Sequence, residues 1–169
     1  MKHKTISLDN IDAFIFDFDG VMTNNSVYLD EHGKESVRCS RSDGLAFNVI
    51  NKLKKPTYIV STEKNQVVKA RAKKLQVPIL YGLDDKVSAV KNLSISKGYS
   101  LKKILYVGND LNDLLIMKLC GFTACPSDSH EKIKEISSRV LMSKGGEGVI
   151  RELLESFLEI DFIKVLYSE

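Results

Sequence analysis

The stretch Asp12-Ala13-Phe14-Ile15-Phe16-Asp17-Phe18-Asp19-Gly20 sets the reading of the whole chain. A short apolar run that ends in acids has the pattern of a central strand, buried on both faces and opening onto solvent only at its carboxyl end. Two carboxylates then stand where such a strand leaves the core. That is where open parallel sheets bind their ligands.

Working outward, Val27 to Leu29 and Glu35 to Cys39 flank Asp30-Glu31-His32-Gly33, whose glycine suits a positive-φ turn, and predict a β-hairpin. Leu45, Val49, Ile50 and Leu53 recur at helical spacing until Pro56 stops the helix. Thr57 to Val60 is the next strand, with Ser61 and Thr62 opening a basic helix that runs to Leu75. Val77 to Tyr81, Ile104 to Val107, Phe122 to Cys125 and Arg139 to Met142 read as further strands. Helices are predicted over Asp84 to Lys97, Leu111 to Leu119, Glu131 to Ser137 and Glu147 to Leu158, the last following Gly145-Gly146. Strand-length runs alternating with helical segments predict an α/β fold, a central parallel sheet between helices.

With 169 residues, 43% of them hydrophobic, the expectation is one domain over 1–169 with one sizeable core. The 25 basic and 22 acidic residues are mixed along the chain and leave a net charge of +3, which gives no reason to expect a nucleic-acid partner. No signal peptide or membrane span is visible, so a cytoplasmic location with no membrane partner is expected. Cys39, Cys120 and Cys125 form no C-x-x-C pair and are read as reduced. His3, His32 and His130 lie in polar segments and are read as structural or solvated.

The residues just after each strand form one group: Asp17, Asp19 and Gly20; Ser61 and Thr62; Asn109, Asp110 and Asp113; with Lys86 near the start of the helix that follows the third strand. Asp and Asn also serve as helix caps and turn formers at such junctions. Four carboxylates at one end of a sheet would, however, repel one another unless one took a proton or a cation joined them. Oxygen donors without His or Cys favour Mg2+, which shares its sites with phosphate.

Asp17-Phe18-Asp19-Gly20-Val21-Met22-Thr23 resembles the first motif of the haloacid dehalogenase superfamily of phosphatases. Ser61 stands at the second motif, Lys86 at the third, and Gly108-Asn109-Asp110-Leu111-Asn112-Asp113 resembles the fourth. The hairpin, the lack of room for a large cap domain and Gly145-Gly146-Glu147-Gly148-Val149-Ile150-Arg151-Glu152 extend the resemblance to one subfamily, the 3-deoxy-D-manno-octulosonate 8-phosphate phosphatases and their relatives acting on nine-carbon sialic-acid-type sugar phosphates. The resemblance implies a Rossmann-like fold and a Mg2+-dependent sugar acid phosphate phosphatase of lipopolysaccharide or sialic acid biosynthesis, assembled as a homotetramer. It implies Asp17 as nucleophile and Asp19 as the acid that protonates the leaving oxygen. Metal donors would be Asp17, the Asp19 carbonyl and a fourth-motif side chain from Asn109, Asp110 or Asp113. Ser61, Thr62 and Lys86 would meet the phosphate.

Asn109 departs from this pattern, where an aspartate is common. A neutral amide oxygen lowers the expected metal affinity and leaves open a silent assembly domain like that attached to some CMP-sialic acid synthetases. Gly145-Gly146-Glu147-Gly148 lacks the Gly-Lys-Ser/Thr ending of a P-loop and is read as a turn before a helix. With the resemblance, this tail approaches a neighbouring subunit's site and Arg151 meets a substrate carboxylate. Lys64, Lys69, Arg71, Lys73 and Lys74 read as a solvated face, from which Arg71 or Lys74 is able to meet an acidic sugar. Glu63 stands where octulosonate phosphatases tend to carry Arg. A carboxylate there suits hydroxyls and leans the substrate toward a nine-carbon acid sugar. A phosphoacceptor receiver also clusters acids with a Lys, but its central phosphorylated Asp is separate from its acid pair, unlike the D-x-D here.

Overall fold

The computed structural model describes residues 6–168. The expectation for His3 lies outside them. Strands β1 (Ala13–Phe16), β4 (Thr57–Val60), β5 (Ile79–Leu80), β6 (Ile104–Val107), β7 (Phe122–Cys125) and β8 (Arg139–Val140) form a six-stranded sheet in the order β5-β4-β1-β6-β7-β8. Every pairing in it is parallel. A separate antiparallel hairpin joins β2 (Tyr28–Leu29) to β3 (Glu35–Ser36).

Period-2 alternation along β1 divides the core. Phe14 and Phe16 point to one side, with Phe47, Val49 and Ile50 of α1 (Arg41–Lys52), Val68 and Ala72 of α2 (Gln66–Leu75), and Val149 and Ile150 of α6 (Val149–Glu152). Ala13 and Ile15 point to the other, with Val90 of α3 (Lys86–Lys97), Ile116 and Met117 of α4 (Leu114–Met117) and Ile133 of α5 (Glu131–Ile136). Phe16 meets Phe47 edge to face at 5.4 Å. Each such fully buried ring contributes roughly 1.5–3 kcal/mol by area.

Several predicted boundaries move. In α1 the buried positions are Asp43, Ala46, Phe47, Val49 and Ile50, and Leu45 is 36% exposed. The basic helix starts at Gln66 instead of Ser61, because Asn65 caps it through Val67 N–H at 3.1 Å. The intervening turn is held by Glu63, whose Oε1 accepts from Lys64 and Asn65 N–H, both at 2.7 Å. The expected helix from Glu147 to Leu158 begins at Val149 and passes into a π-turn over Leu153–Phe157, and a further helix, α7 (Phe162–Tyr167), packs on α1. The hairpin strands are two residues each, with Asp30 Oδ1 closing the turn on His32 and Lys34 N–H. Cys39, Cys120 and Cys125 are free thiols. Among the described residues no helix is long and apolar enough to cross a membrane.

The chain winds from β1 to β4 and β5 on one side, then returns to β6, β7 and β8 on the other. The reversal lies between β1 and β6. A crevice forms beyond the carboxyl ends of strands at such a switch point. Asp17 follows β1 there and Asn109 follows β6.

Candidate active site

A cleft of about 290 Å³ opens at this point, lined by Asp17, Asp19, Asn25, Thr62, Asn109, Asp110, Leu111 and Asn112. Its floor is Asp17, 3% exposed. Asp17 Oδ1 accepts from Phe18 N–H at 2.7 Å and faces Lys86 Nζ at 2.8 Å. Lys86, itself 3% exposed, also donates to Asp113 Oδ1 at 2.8 Å. Tyr106 OH donates to that same Asp113 oxygen at 2.8 Å, while Asp113 Oδ2 accepts from Asn109 N–H at 2.9 Å. Lys86 thus sits between two buried carboxylates.

The electrostatics follow from burial. Desolvation pushes the Asp17 carboxyl well above its usual range, with Asp113 adding to the rise and Lys86 opposing it. Burial alone would lower the Lys86 ammonium, but Asp17 and Asp113 outweigh it and hold it above its ordinary value. Asp19 is half-buried; desolvation, and then the nearby Glu63, raise its pKa. A rise in a carboxyl's pKa suits it to donating a proton.

The amide end of Asn109 that points inward lies 2.8 Å from the Asp19 carbonyl oxygen and 3.3 Å from Asp17 Oδ2. With the amide nitrogen there, both contacts are hydrogen bonds. With the oxygen there, three oxygens face one another with no hydrogen between them. One carboxylate, one carbonyl and one amide oxygen converging on a point form a donor set that fits a small, hard divalent cation. Gly20 makes room for it: its φ is +77°, and a Cβ there would come 1.9 Å from Asn109 Nδ2.

The four-carboxylate cluster expected from the sequence does not form. Among the described residues no three His, Cys, Asp or Glu side chains are grouped to hold a metal. Asp113 is fully buried and turned from the cleft onto Lys86, Tyr106 and main-chain N–H groups. Asp110 lines the cleft, but its Oδ1 accepts from Leu111 N–H at 2.7 Å, capping its own turn. Thr62 lines the wall, whereas the buried Ser61 accepts from Glu63 N–H at 3.1 Å.

Arg71, Lys74 and Arg151 do not line the cleft of their own chain. Arg71 donates to the Ser40 carbonyl at 2.7 Å and, with Lys74, Arg41 and Asn48, borders a separate cavity of about 380 Å³. Arg151 pairs with Glu155, Nη2 to Oε1 at 2.7 Å, and lies 4.4 Å over the Phe162 ring. Sequence reading missed Asn25, Asn112 and Tyr106. A Tyr inside an otherwise apolar strand was the one available signal, because a buried phenol needs a partner.

A model of the haloacid dehalogenase-like hydrolases matches residues 4–153. The chain is 27% identical over 150 residues to 3-deoxy-D-manno-octulosonate 8-phosphate phosphatase of Yersinia pestis, covering 88% of this chain and 80% of that protein. It is 26% identical over 153 residues to the enzyme of that name from Haemophilus influenzae, covering 90% and 85%. Among solved structures, one described as a HAD family hydrolase from Streptomyces avermitilis superposes with a TM-score of 0.91 at 36% identity, over 95% of this chain and 92% of that one. The 3-deoxy-D-manno-octulosonate 8-phosphate phosphatase of Moraxella catarrhalis, in complex with magnesium, phosphate and KDO, superposes with a TM-score of 0.85 at 28% identity, over 89% and 87%.

Proposed function

The chain belongs to the haloacid dehalogenase-like hydrolase family, and from that premise we propose that it is a magnesium-dependent phosphatase of an acidic eight- or nine-carbon sugar phosphate. The observation that carries the proposal is the pairing at the switch point. Asp17 is fixed by Lys86 on one oxygen, while its other oxygen joins the Asp19 carbonyl and the Asn109 amide at one point.

Asp17, the Asp19 carbonyl and Asn109 would hold magnesium, whose charge lets an anionic phosphate approach an anionic nucleophile. Asp17 attacks phosphorus, the bond from phosphorus to the sugar oxygen breaks, and Asp19 delivers its proton to that oxygen. Asp19, now ionised, takes a proton from water as that water attacks the phosphorus of the aspartyl phosphate, releasing phosphate and restoring Asp17. Lys86 balances the charge of Asp17 throughout, and Thr62 with the main-chain N–H groups beside it meets phosphoryl oxygens.

The cleft is at the small end of ligand pockets, roughly 300–1,000 Å³, which suits a phosphate and the first carbons of a sugar. Glu63, beside Asp19, offers an acceptor to sugar hydroxyls and supports the nine-carbon substrate. The basic surface of Arg71 and Lys74 would meet the acidic end of the substrate across a contact between copies. The exposed Val27, Tyr28 and Leu29 of the hairpin, 54%, 61% and 66% accessible, support assembly, which we propose to be a homotetramer. The intact Asp17–Lys86–Asp113 chain favours catalysis over a silent assembly role. A phosphate-release screen over sugar acid phosphates tests the reading. Release from octulosonate 8-phosphate or a nine-carbon 9-phosphate, abolished by a chelator, is expected; background release from all of them, with magnesium present, would reject it.

A further inference from the structure

The turn Gly145–Gly146 is buried against the loop that leaves the nucleophile, main chain on main chain. A Cβ at Gly145 would come 2.3 Å from the Gly20 carbonyl oxygen and 2.8 Å from that of Thr23. One at Gly146, whose φ is +70°, would come 2.7 Å from Asn24 N. These neighbours are backbone and have no rotamer to yield. Gly146 N–H donates to the Val21 carbonyl at 3.0 Å, and Gly145 N–H donates to Asp128 Oδ1 at 2.9 Å. Arg38, beyond the hairpin, pairs with Glu147 at 3.3 Å. Downstream, Asp43 Oδ1 accepts from Arg151 N–H at 3.0 Å, so the helix that follows is fixed to α1.

The clamped loop is short and carries much of the site. Thr23 Oγ1 accepts from Gly20 N–H and Asn25 N–H, each at 3.2 Å, so it ties the residue after Asp19 to the far end of the loop. Asn25 lines the cleft. A shift of residues 20–24 therefore moves the Asp19 carboxyl, the Asp19 carbonyl and one cleft wall together.

We propose that Gly145 and Gly146 are positioning residues, a backbone clamp that, with Asp128, fixes the Gly20–Asn25 loop and through it Asp19. The proposal rests on the phosphatase reading for its effect on turnover, but the clamp itself is a statement about the loop. It separates from simple destabilisation through Gly148, whose φ of +96° also penalises a side chain but whose Cβ would meet only Ser42 Oγ, at 3.2 Å.

The test combines amide hydrogen exchange across residues 20–25 with steady-state kinetics, on Gly145→Ala, Gly148→Ala, Asp128→Ala and Asp128→Asn. In Gly145→Ala, amides 20–25 should exchange faster than in the wild type, and kcat should fall about 10- to 100-fold with KM changed less than about threefold. Gly148→Ala should lower the melting temperature yet leave the exchange of 20–25 and kcat near wild type. Asp128→Ala should show the same two signatures more weakly, and Asp128→Asn, which keeps the acceptor for Gly145 N–H, should restore both. If Gly145→Ala does not fold, the Asp128 pair carries the test alone. Unchanged exchange of 20–25 in the folded clamp variants, or equal losses of kcat in Gly145→Ala and Gly148→Ala, overturns the proposal. If the wild type releases no phosphate, the phosphatase reading fails, and the exchange data still decide the clamp.

Discussion

The two ends of the turn from Asn109 to Asp113 are built in opposite ways. Asp113 is fully buried and receives Lys86, Tyr106 and main-chain N–H groups, so its charge and both oxygens are satisfied from within the chain. The inward end of Asn109 meets only the oxygens of Asp17 and Asp19. A carboxylate surrounded by donors belongs to the frame; an amide end that meets only acceptors is satisfied while its nitrogen points inward, and offers its oxygen to a cation only by turning over. Asp43 lies between these extremes: one oxygen accepts Arg151 N–H, and the other is buried without a partner.

The largest effects should come from unbalancing the satisfied end. Lys86→Met leaves two buried carboxylates facing each other, and it should cost about 3–5 kcal/mol of stability in urea unfolding at neutral pH. A loss below about 1 kcal/mol would mean that the Asp17–Lys86–Asp113 chain is not the frame described. On the cleft side, Asp19→Asn keeps the backbone carbonyl and removes only the proposed proton donor. Its kcat should fall about 10²- to 10⁴-fold while its melting temperature stays near wild type. Wild-type kcat would take proton transfer away from Asp19.

Asp43 gives an intermediate case that pH can read. Burial raises its pKa from 3.8 to about 6, against the main-chain N–H groups of Arg151, Ile150 and Gly148. Between those values the folded state holds more protons than the unfolded one, so stability falls as pH rises through the window and stays lower above it. The fall amounts to about 3 kcal/mol. Asp43→Asn keeps the acceptor for Arg151 N–H and should lack that fall. Equal pH slopes for the two proteins, in urea unfolding from about pH 4 to about pH 6.5, would refute the assignment.

The smallest change tests the cleft end. Asn109→Asp adds a negative charge among oxygens, so without magnesium its melting temperature should drop by a few degrees, about 1 kcal/mol. Magnesium should raise the melting temperature more than in the wild type, with a lower half-saturating concentration. If magnesium shifts both proteins equally, Asn109 is not a ligand, and Asp110 inherits the role.

The fold was legible wherever one strand's own pattern decided its fate, as in Ala13–Phe16 and Ile104–Val107, both buried throughout. The place of Asp17 and Asp19 in the cleft was legible as well, because residues just after a buried strand stand where a parallel sheet opens. The direction of Asp113 was not. Its partners Lys86 and Tyr106 stand on a different helix and strand, and a run such as Asn109-Asp110-Leu111-Asn112-Asp113 gives each acid the same local credentials. The start of α2 was misplaced because Ser61 and Thr62 are good caps by type, whereas Glu63 and Asn65 take that work through main-chain contacts. Gly145-Gly146 read as a flexible turn because close backbone approach leaves no periodic signal.

The central claim is that Asp17 itself carries the phosphoryl group. Rapid acid quench of the wild type during turnover of the best sugar acid phosphate, followed by mass spectrometry of the peptide containing Asp17, should find that peptide phosphorylated. Asp17→Asn should yield no phosphorylated peptide and no phosphate above background. Undiminished turnover by Asp17→Asn, or a phosphoryl group on another residue, would contradict the account.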